Sequence, residues 1–299
     1  MDPHRAFFFS FAFLFTSALL QAGESIPVWP DLAPEETTRK TGTPLPPRET
    51  DSAPITRVEN ITSPTLDLYP ADPKIANGTG VLILPGGGFG KVVPDLEGSE
   101  AAKWLNSLGI SAYVLNYRTT TGADAEIKED PWLRPVQDSE RTLRLLRAKA
   151  EEYSLETDKI GLLGFSAGGQ VAAIHATNST AHYDPIDEID KTLQRPDFLL
   201  LVYPWRVYIE GKEELMPQIT PSPETPPSFI VHTHDDRSSS LGAVLIYLGL
   251  KRHNVPGEIH VYETGGHGYG TRDRPNSFIG TWTERATDWL RLRGLANQP

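Results

Sequence analysis

Apolar residues in this chain gather into short continuous runs, separated by longer segments of helical period. The runs Val81–Leu84, Ser111–Asn116, Ile160–Gly164, Leu199–Tyr203 and Ser228–His232 contain no Asp, Glu, Lys or Arg. A strand with one wet face alternates apolar and polar residues, so runs without that alternation predict strands covered on both faces. Ile55–Glu59, Thr65–Tyr69 and Glu258–Tyr262 predict three more strands. Helical spacing predicts helices over Glu97–Leu108, Val136–Glu152, Ala167–Thr177, Leu241–His253 and Trp282–Arg293. In the second of these, Leu143, Leu146 and Ala150 form an apolar stripe beside Arg141, Arg144 and Arg147. Strand and helix signals alternate almost to the end, which predicts an α/β fold with a mainly parallel central sheet and helices on both faces.

The first part of the chain breaks this pattern. Met1 to Arg5 carries positive charge, Ala6 to Leu20 is apolar or small throughout, and Gln21-Ala22-Gly23 supplies small residues. That order predicts a signal peptide over residues 1–23, and hence a secreted or periplasmic protein. The apolar run is short for a membrane span, so stable membrane insertion is not expected. Residues 24–52, rich in Pro, Thr and charge, read as a loosely structured lead-in, and residues 53–299 as a single domain without internal repeats. The stretch between Tyr203 and Ser228 is too short for a large cap. An open cleft follows, with Trp205, Tyr208 and Met216 as candidate rim residues.

Composition narrows the partners. The 299 residues carry a formal net charge of −11, which argues against nucleic acid and anionic membranes. Neutral substrates fit such a surface best; polyanions would be repelled unless the site held a local basic patch. There is no cysteine, so neither a disulfide framework nor a thiolate metal site is available.

The candidate chemistry sits at strand ends. Gly164-Phe165-Ser166-Ala167-Gly168-Gly169 follows one predicted strand and opens a predicted helix. This is the setting in which G-x-S-x-G forms a nucleophile elbow, with small residues at Gly164 and Gly168 because the turn is tight. A serine hydroxyl needs a base, and the base needs an orienting partner. Asp235-Asp236 follows the strand at Ser228–His232, and His267 lies in Gly265-Gly266-His267-Gly268 after the strand at Glu258–Tyr262. Ser166, Asp236 and His267 are the expected triad. Asp236 is preferred to Asp235 because the acid usually lies in the turn before the next helix. Pro85-Gly86-Gly87-Gly88-Phe89 ends another strand and leaves backbone amides unhindered, so the amides of Gly87, Gly88 and Ala167 are assigned to an oxyanion hole. His232-Thr233-His234-Asp235-Asp236 contains H-x-H-x-D, yet Arg237 stands where a further ligand would fall, and no metal or organic cofactor is expected.

These residues resemble the α/β-hydrolase superfamily, in particular its small secreted esterases grouped with acetylxylan and feruloyl esterases. The resemblance runs from about Ile26 to Arg293. It rests on Pro85–Phe89 with Glu97-Gly98, Asn116-Tyr117-Arg118, Asp138 with Arg141 and Arg144, Gly164–Gly169 and Gly265–Gly270. Relatives with a hormone-sensitive-lipase-like site often have His where this chain has Pro85, and many have His where it has Gln170. The resemblance implies a serine esterase that removes short acyl groups from carbohydrate. A serine peptidase, a lipase and a catalytically silent binding module on the same fold stay open.

Overall fold

The computed structural model describes residues 23–51, 53–121 and 129–299. The predicted signal peptide therefore lies outside the described residues, apart from Gly23. In chain order the elements are β1 (Ser25–Pro27), β2 (Thr41–Pro44), β3 (Val58–Ile61), β4 (Thr65–Tyr69), β5 (Gly80–Leu84), α1 (Glu100–Ser107), β6 (Ser111–Asn116) and α2 (Leu133–Ala148). There follow β7 (Ile160–Phe165), α3 (Ser166–Thr177), β8 (Leu199–Val202), β9 (Tyr208–Ile209), β10 (Glu214–Leu215), β11 (Ser228–Thr233), α4 (Leu241–Arg252), β12 (Gly257–Tyr262) and α5 (Trp282–Leu292).

Eight strands form one sheet in the order β1-β4-β6-β5-β7-β8-β11-β12. The β1–β4 and β4–β6 pairs are antiparallel and every pair beyond them is parallel. The pleat sends alternate residues to opposite faces. Val81 and Ile83 of β5 pack on one side with Ala101, Leu105, Trp282 and Trp289 from α1 and α5. Leu82 and Leu84 pack on the other with Val136, Leu143, Val171 and Ile246 from α2, α3 and α4. This is why the central strands read as uninterrupted apolar runs. The edge strand β12 has only half-buried or exposed residues.

Two parts of the chain depart from the sequence-based expectation. Part of the lead-in is built into the fold: β1 pairs with β4, β2 pairs with β3, and Val28, Trp29 and Ala33 join the core. A three-residue strand carries too little pattern to be read in advance. The arginines beside the apolar stripe of α2 are also buried, which their sequence pattern did not indicate. Arg141 donates to both oxygens of Asp187 at 2.7 Å, Arg144 lies over the Tyr183 ring at 5.3 Å, and Arg147 donates to Asp197 at 2.8 Å. The chain between α3 and β8 covers this face with its carboxylates. Beneath it, Trp29 Nε1 donates to Asp138 at 2.8 Å, and Arg118 Nε donates to the same carboxylate at 2.9 Å.

No helix among the described residues is long and apolar enough to cross a membrane. The segment from Tyr203 to Ser228 holds only the small β9–β10 ribbon. The space above the C-terminal ends of the parallel strands, where sites form in open sheets of this kind, is therefore left accessible.

Candidate active site

Ser166 is the first residue of α3, directly after β7, and its φ of 51° places it in the left-handed region. A non-glycine residue held there costs about 1–3 kcal/mol and persists only where its surroundings impose it. Those surroundings are glycines. A Cβ on Gly164 would stand 2.5 Å from the Gly168 carbonyl oxygen, and a Cβ on Gly168 would stand 2.0 Å from that of Leu84. Helix and strand can approach this closely only because both side chains are absent. The first amides of a helix have no intrahelical partner, and Ala167 presents one of them beside Ser166.

Ser166 Oγ lies 2.7 Å from Nε2 of His267, and Nδ1 of His267 lies 2.6 Å from Asp236 Oδ2. The Asp236 side chain is fully buried, while that of His267 keeps 20% exposure. Asp235 points elsewhere. It accepts the amide hydrogens of Gly265 and Gly266 at 3.2 and 2.8 Å, and the Thr233 hydroxyl donates to the Gly266 carbonyl at 2.8 Å. These bonds anchor the loop that carries the imidazole, and backbone donation to Asp235 holds its carboxyl below the usual range.

The glycine loop after β5 faces the same space. Gly87 has a φ of +139°, and a Cβ there would fall 2.0 Å from the Lys91 carbonyl oxygen. Gly88 follows at +67° and Phe89 at 65°. Gly87, Gly88, Ser166 and His267 together line a cleft of about 850 Å³. Trp205 and Tyr208 line it as well, and the Trp205 amide donates to the Ser166 carbonyl at 2.9 Å. Met216 does not reach the cleft; its sulfur instead lies 3.0 Å from Gln170 Nε2. Of the two histidines in H-x-H-x-D, His232 is buried with Nδ1 3.9 Å from Asp236, and His234 is exposed.

The sequence reading missed a buried carboxylate behind these groups. Glu97 accepts the Gly86 amide at 2.7 Å through one oxygen and the Tyr203 hydroxyl at 2.8 Å through the other. Tyr203 accepts the Gly270 amide at 2.9 Å, and its ring centroid lies 4.8 Å from that of His267. Tyr117 adds a hydroxyl donated to the Pro85 carbonyl at 2.6 Å. A single buried network thus joins the glycine loop to the histidine loop. Burial drives the Glu97 carboxyl above its ordinary value, against the two hydrogen bonds that favour its charge. Glu97-Gly98 is among the motifs that carry the family resemblance, but an acid at the start of a predicted helix is commonplace, and nothing in the sequence marked this one as buried.

Comparison with known proteins follows this geometry. A family model described as BD-FAE matches residues 66–198. A solved acetyl ester-xyloside bifunctional hydrolase from Caldicellulosiruptor lactoaceticus superposes with a TM-score of 0.73 at 27% identity, over 93% of this chain and 99% of that one. This is the α/β-hydrolase fold. A thermophilic esterase from the planctomycete Thermogutta terrifontis shares it, with a TM-score of 0.66 at 18% identity over 84% of this chain and 95% of that one. Among curated proteins, the α/β-hydrolase chain is 28% identical over 234 residues to an acetylxylan esterase of Xylanibacter ruminicola, covering 70% of this chain. It spans only 43% of that relative's length.

Proposed function

We propose that this chain is a secreted or periplasmic serine esterase that removes short acyl groups from carbohydrate. The observation that carries the reading is the hydrogen-bonded series from Ser166 through His267 to Asp236, beside a glycine loop whose Gly87 and Gly88 line the same cleft. Ser166 Oγ attacks the ester carbonyl while His267 Nε2 takes its proton. Asp236 fixes the imidazole tautomer and stabilises the imidazolium. The amides of Gly87, Gly88 and Ala167 receive the oxyanion, His267 returns the proton to the leaving alcohol, and water then releases the acyl-enzyme by the same steps in reverse order. Each charge formed in these steps is met by Asp236, His267 or the loop amides, and the mechanism draws on no cofactor.

The acetylxylan esterase of Xylanibacter ruminicola supports the carbohydrate ester as substrate, and the uncapped cleft suits a branched or polymeric alcohol. Residues 1–23 supply the export signal in this reading and residues 53–299 the catalytic domain. The test is hydrolysis of p-nitrophenyl acetate, butyrate and octanoate, and of acetylated xylan, by wild type and Ser166→Ala. Acetate release from xylan by wild type alone upholds the proposal. Cleavage of the small esters without xylan moves the substrate away from xylan, and activity surviving in Ser166→Ala overturns the mechanism.

A further inference from the structure

The walls of the cleft have the opposite sign to the rest of the protein. Against a formal net charge of −11, five cationic side chains line it: Arg48, Arg57, Lys91, Arg206 and Arg237. The lining carboxylates are Glu97, which faces Gly86 and Tyr203, and Glu210. Arg57 is already engaged, since it donates to both oxygens of Asp51 at 2.7 and 2.8 Å. Among the described residues, Arg48, Lys91, Arg206 and Arg237 form no ion pair.

Their positions bracket the reacting serine. Lys91 follows the glycine loop and its carbonyl fills the place of the missing Gly87 side chain. Arg206 follows Trp205, whose amide is bonded to Ser166, and its guanidinium lies over the Trp205 ring at 4.3 Å. Arg206 also holds a φ of 52°, a left-handed conformation that an arginine adopts only at a cost. Arg237 follows Asp236 directly, at the end of the strand that supplies the acid. Desolvation, followed by repulsion from Arg48 and Arg57, pulls the Lys91 ammonium below its ordinary value. The repulsion felt by Lys91 is relieved when an anion enters beside it, and guanidinium forks match planar and tetrahedral oxyanions by paired hydrogen bonds.

Resting on the esterase reading above, we infer that the substrate is an acyl ester of a saccharide that itself bears an oxyanion, a uronate carboxylate or a sulfate, bound by Arg206, Arg237, Arg48 and Lys91. The protein as a whole carries a net charge of −11, so a cluster of cations around the cleft gives an anionic substrate a local field that the overall charge does not.

The test compares kcat/KM at low ionic strength on mono-acetylated methyl glucoside, methyl glucuronoside and methyl glucoside 6-sulfate. At least one anionic ester should exceed the neutral one by about tenfold. A preference for the glucuronoside identifies the carboxylate, and a preference for the sulfated glucoside identifies the sulfate. The ratio should approach one in 1 M NaCl, where the screening length is about 3 Å, and should fall in the double variant Arg206→Gln/Arg237→Gln. The salt titration uses wild type alone, so it stands whether or not the variant folds. Equal or lower kcat/KM on both anionic esters overturns the inference, as does a preference insensitive to salt. If no ester is turned over, it is the esterase reading that fails. Calorimetric titration of Ser166→Ala with the same three compounds then decides separately: salt-sensitive preference for an anionic ligand upholds the basic cleft, and equal affinity for all three overturns it.

Discussion

Asp236 accepts a hydrogen bond from Nδ1 of His267 at 2.6 Å, while its sequence neighbour Asp235 takes the amides of the loop on which that histidine stands. Consecutive carboxylates thus serve the same imidazole in different ways, one through the ring and one through the backbone. Asp236→Asn should lower kcat by about 10⁴, the loss expected when the imidazole tautomer is no longer fixed. Asp235→Asn keeps an oxygen that can accept one of the two amides. It should cost no more than about tenfold, equivalent to roughly 1.4 kcal/mol. Steady-state kinetics of both variants on p-nitrophenyl acetate check the ranking, and the reverse order would exchange the roles.

The left-handed backbone at Ser166 separates chemistry from stability. Ser166→Ala removes the proposed nucleophile and leaves the strain, whereas Ser166→Gly removes both. Both variants should lose about six orders of magnitude in kcat. In denaturant unfolding the glycine variant should be the more stable of the two by roughly 1 kcal/mol, the lower end of the cost of such a conformation. An alanine variant equal to or above the glycine variant would show that the surroundings impose no strain.

Gly168 offers a complementary probe of the same turn. A methyl group there would collide with the Leu84 carbonyl oxygen at 2.0 Å, and backbone, unlike a flexible side chain, cannot simply swing away. Gly168→Ala should destabilise the fold by about 1–3 kcal/mol, in the range of overpacked cores. It should also lower kcat, because the displaced strand end carries Pro85 and the glycine loop. Retention of both wild-type Tm and activity would contradict the close approach.

Glu97 makes stability depend on pH. Burial raises its carboxyl above the ordinary value of 4.5, so in that range the folded protein binds more protons than the unfolded chain. The stability this group contributes is full below 4.5 and is lost as pH rises through the raised folded value. Glu97→Gln cannot ionise, and its oxygen can still accept the Gly86 amide. The Tm of the variant minus that of wild type should therefore climb as pH rises from 4.5 upward. A difference independent of pH would mean that Glu97 ionises without cost where it stands.

Deep under α2 the Arg118–Asp138 pair has no exposed side-chain surface on either partner. Asp138→Ala would leave a buried guanidinium without its main counter-charge and the Trp29 indole without its acceptor. Breaking such a pair from one side typically costs about 3–5 kcal/mol. The loss should appear in Tm, with kcat of the surviving folded fraction little changed, because neither Arg118 nor Asp138 lines the cleft. A stable variant with impaired kcat would instead tie Arg118 to the site.

The candidate site was legible in the sequence where its proposed chemistry would constrain a few consecutive residues. Gly164–Gly169, Pro85–Phe89 and Gly265–Gly270 are legible because a tight turn or an open amide demands small residues at fixed spacing. The sheet was legible for a similar reason, since strands buried on both faces tolerate few polar residues. Glu97 and Tyr203 were not. Their connection joins residues 106 positions apart, and neither looks unusual beside its own neighbours. Arg141, Arg144 and Arg147 gave no sign of burial in their spacing, and it is the chain between α3 and β8 that folds over them and makes them interior. The basic wall was hidden in the same way: its residues are scattered from Arg48 to Arg237, and the negative total charge pointed to neutral substrates.

The short strand Ser25–Pro27 and Trp29 beyond it impose an order on assembly. Trp29 leaves the ribosome 109 residues before Asp138, the carboxylate it must reach, and Tyr183, against whose ring it stands edge-on, comes later still. The earliest-made part of the described fold thus cannot complete its contacts until Tyr183 has been made. Until it does, the outer rim of β4 stands open to pairing with another chain, an exposure that folded proteins ordinarily avoid. A nascent chain would be most vulnerable in that interval, and the fold depends on its own leading residues to end it.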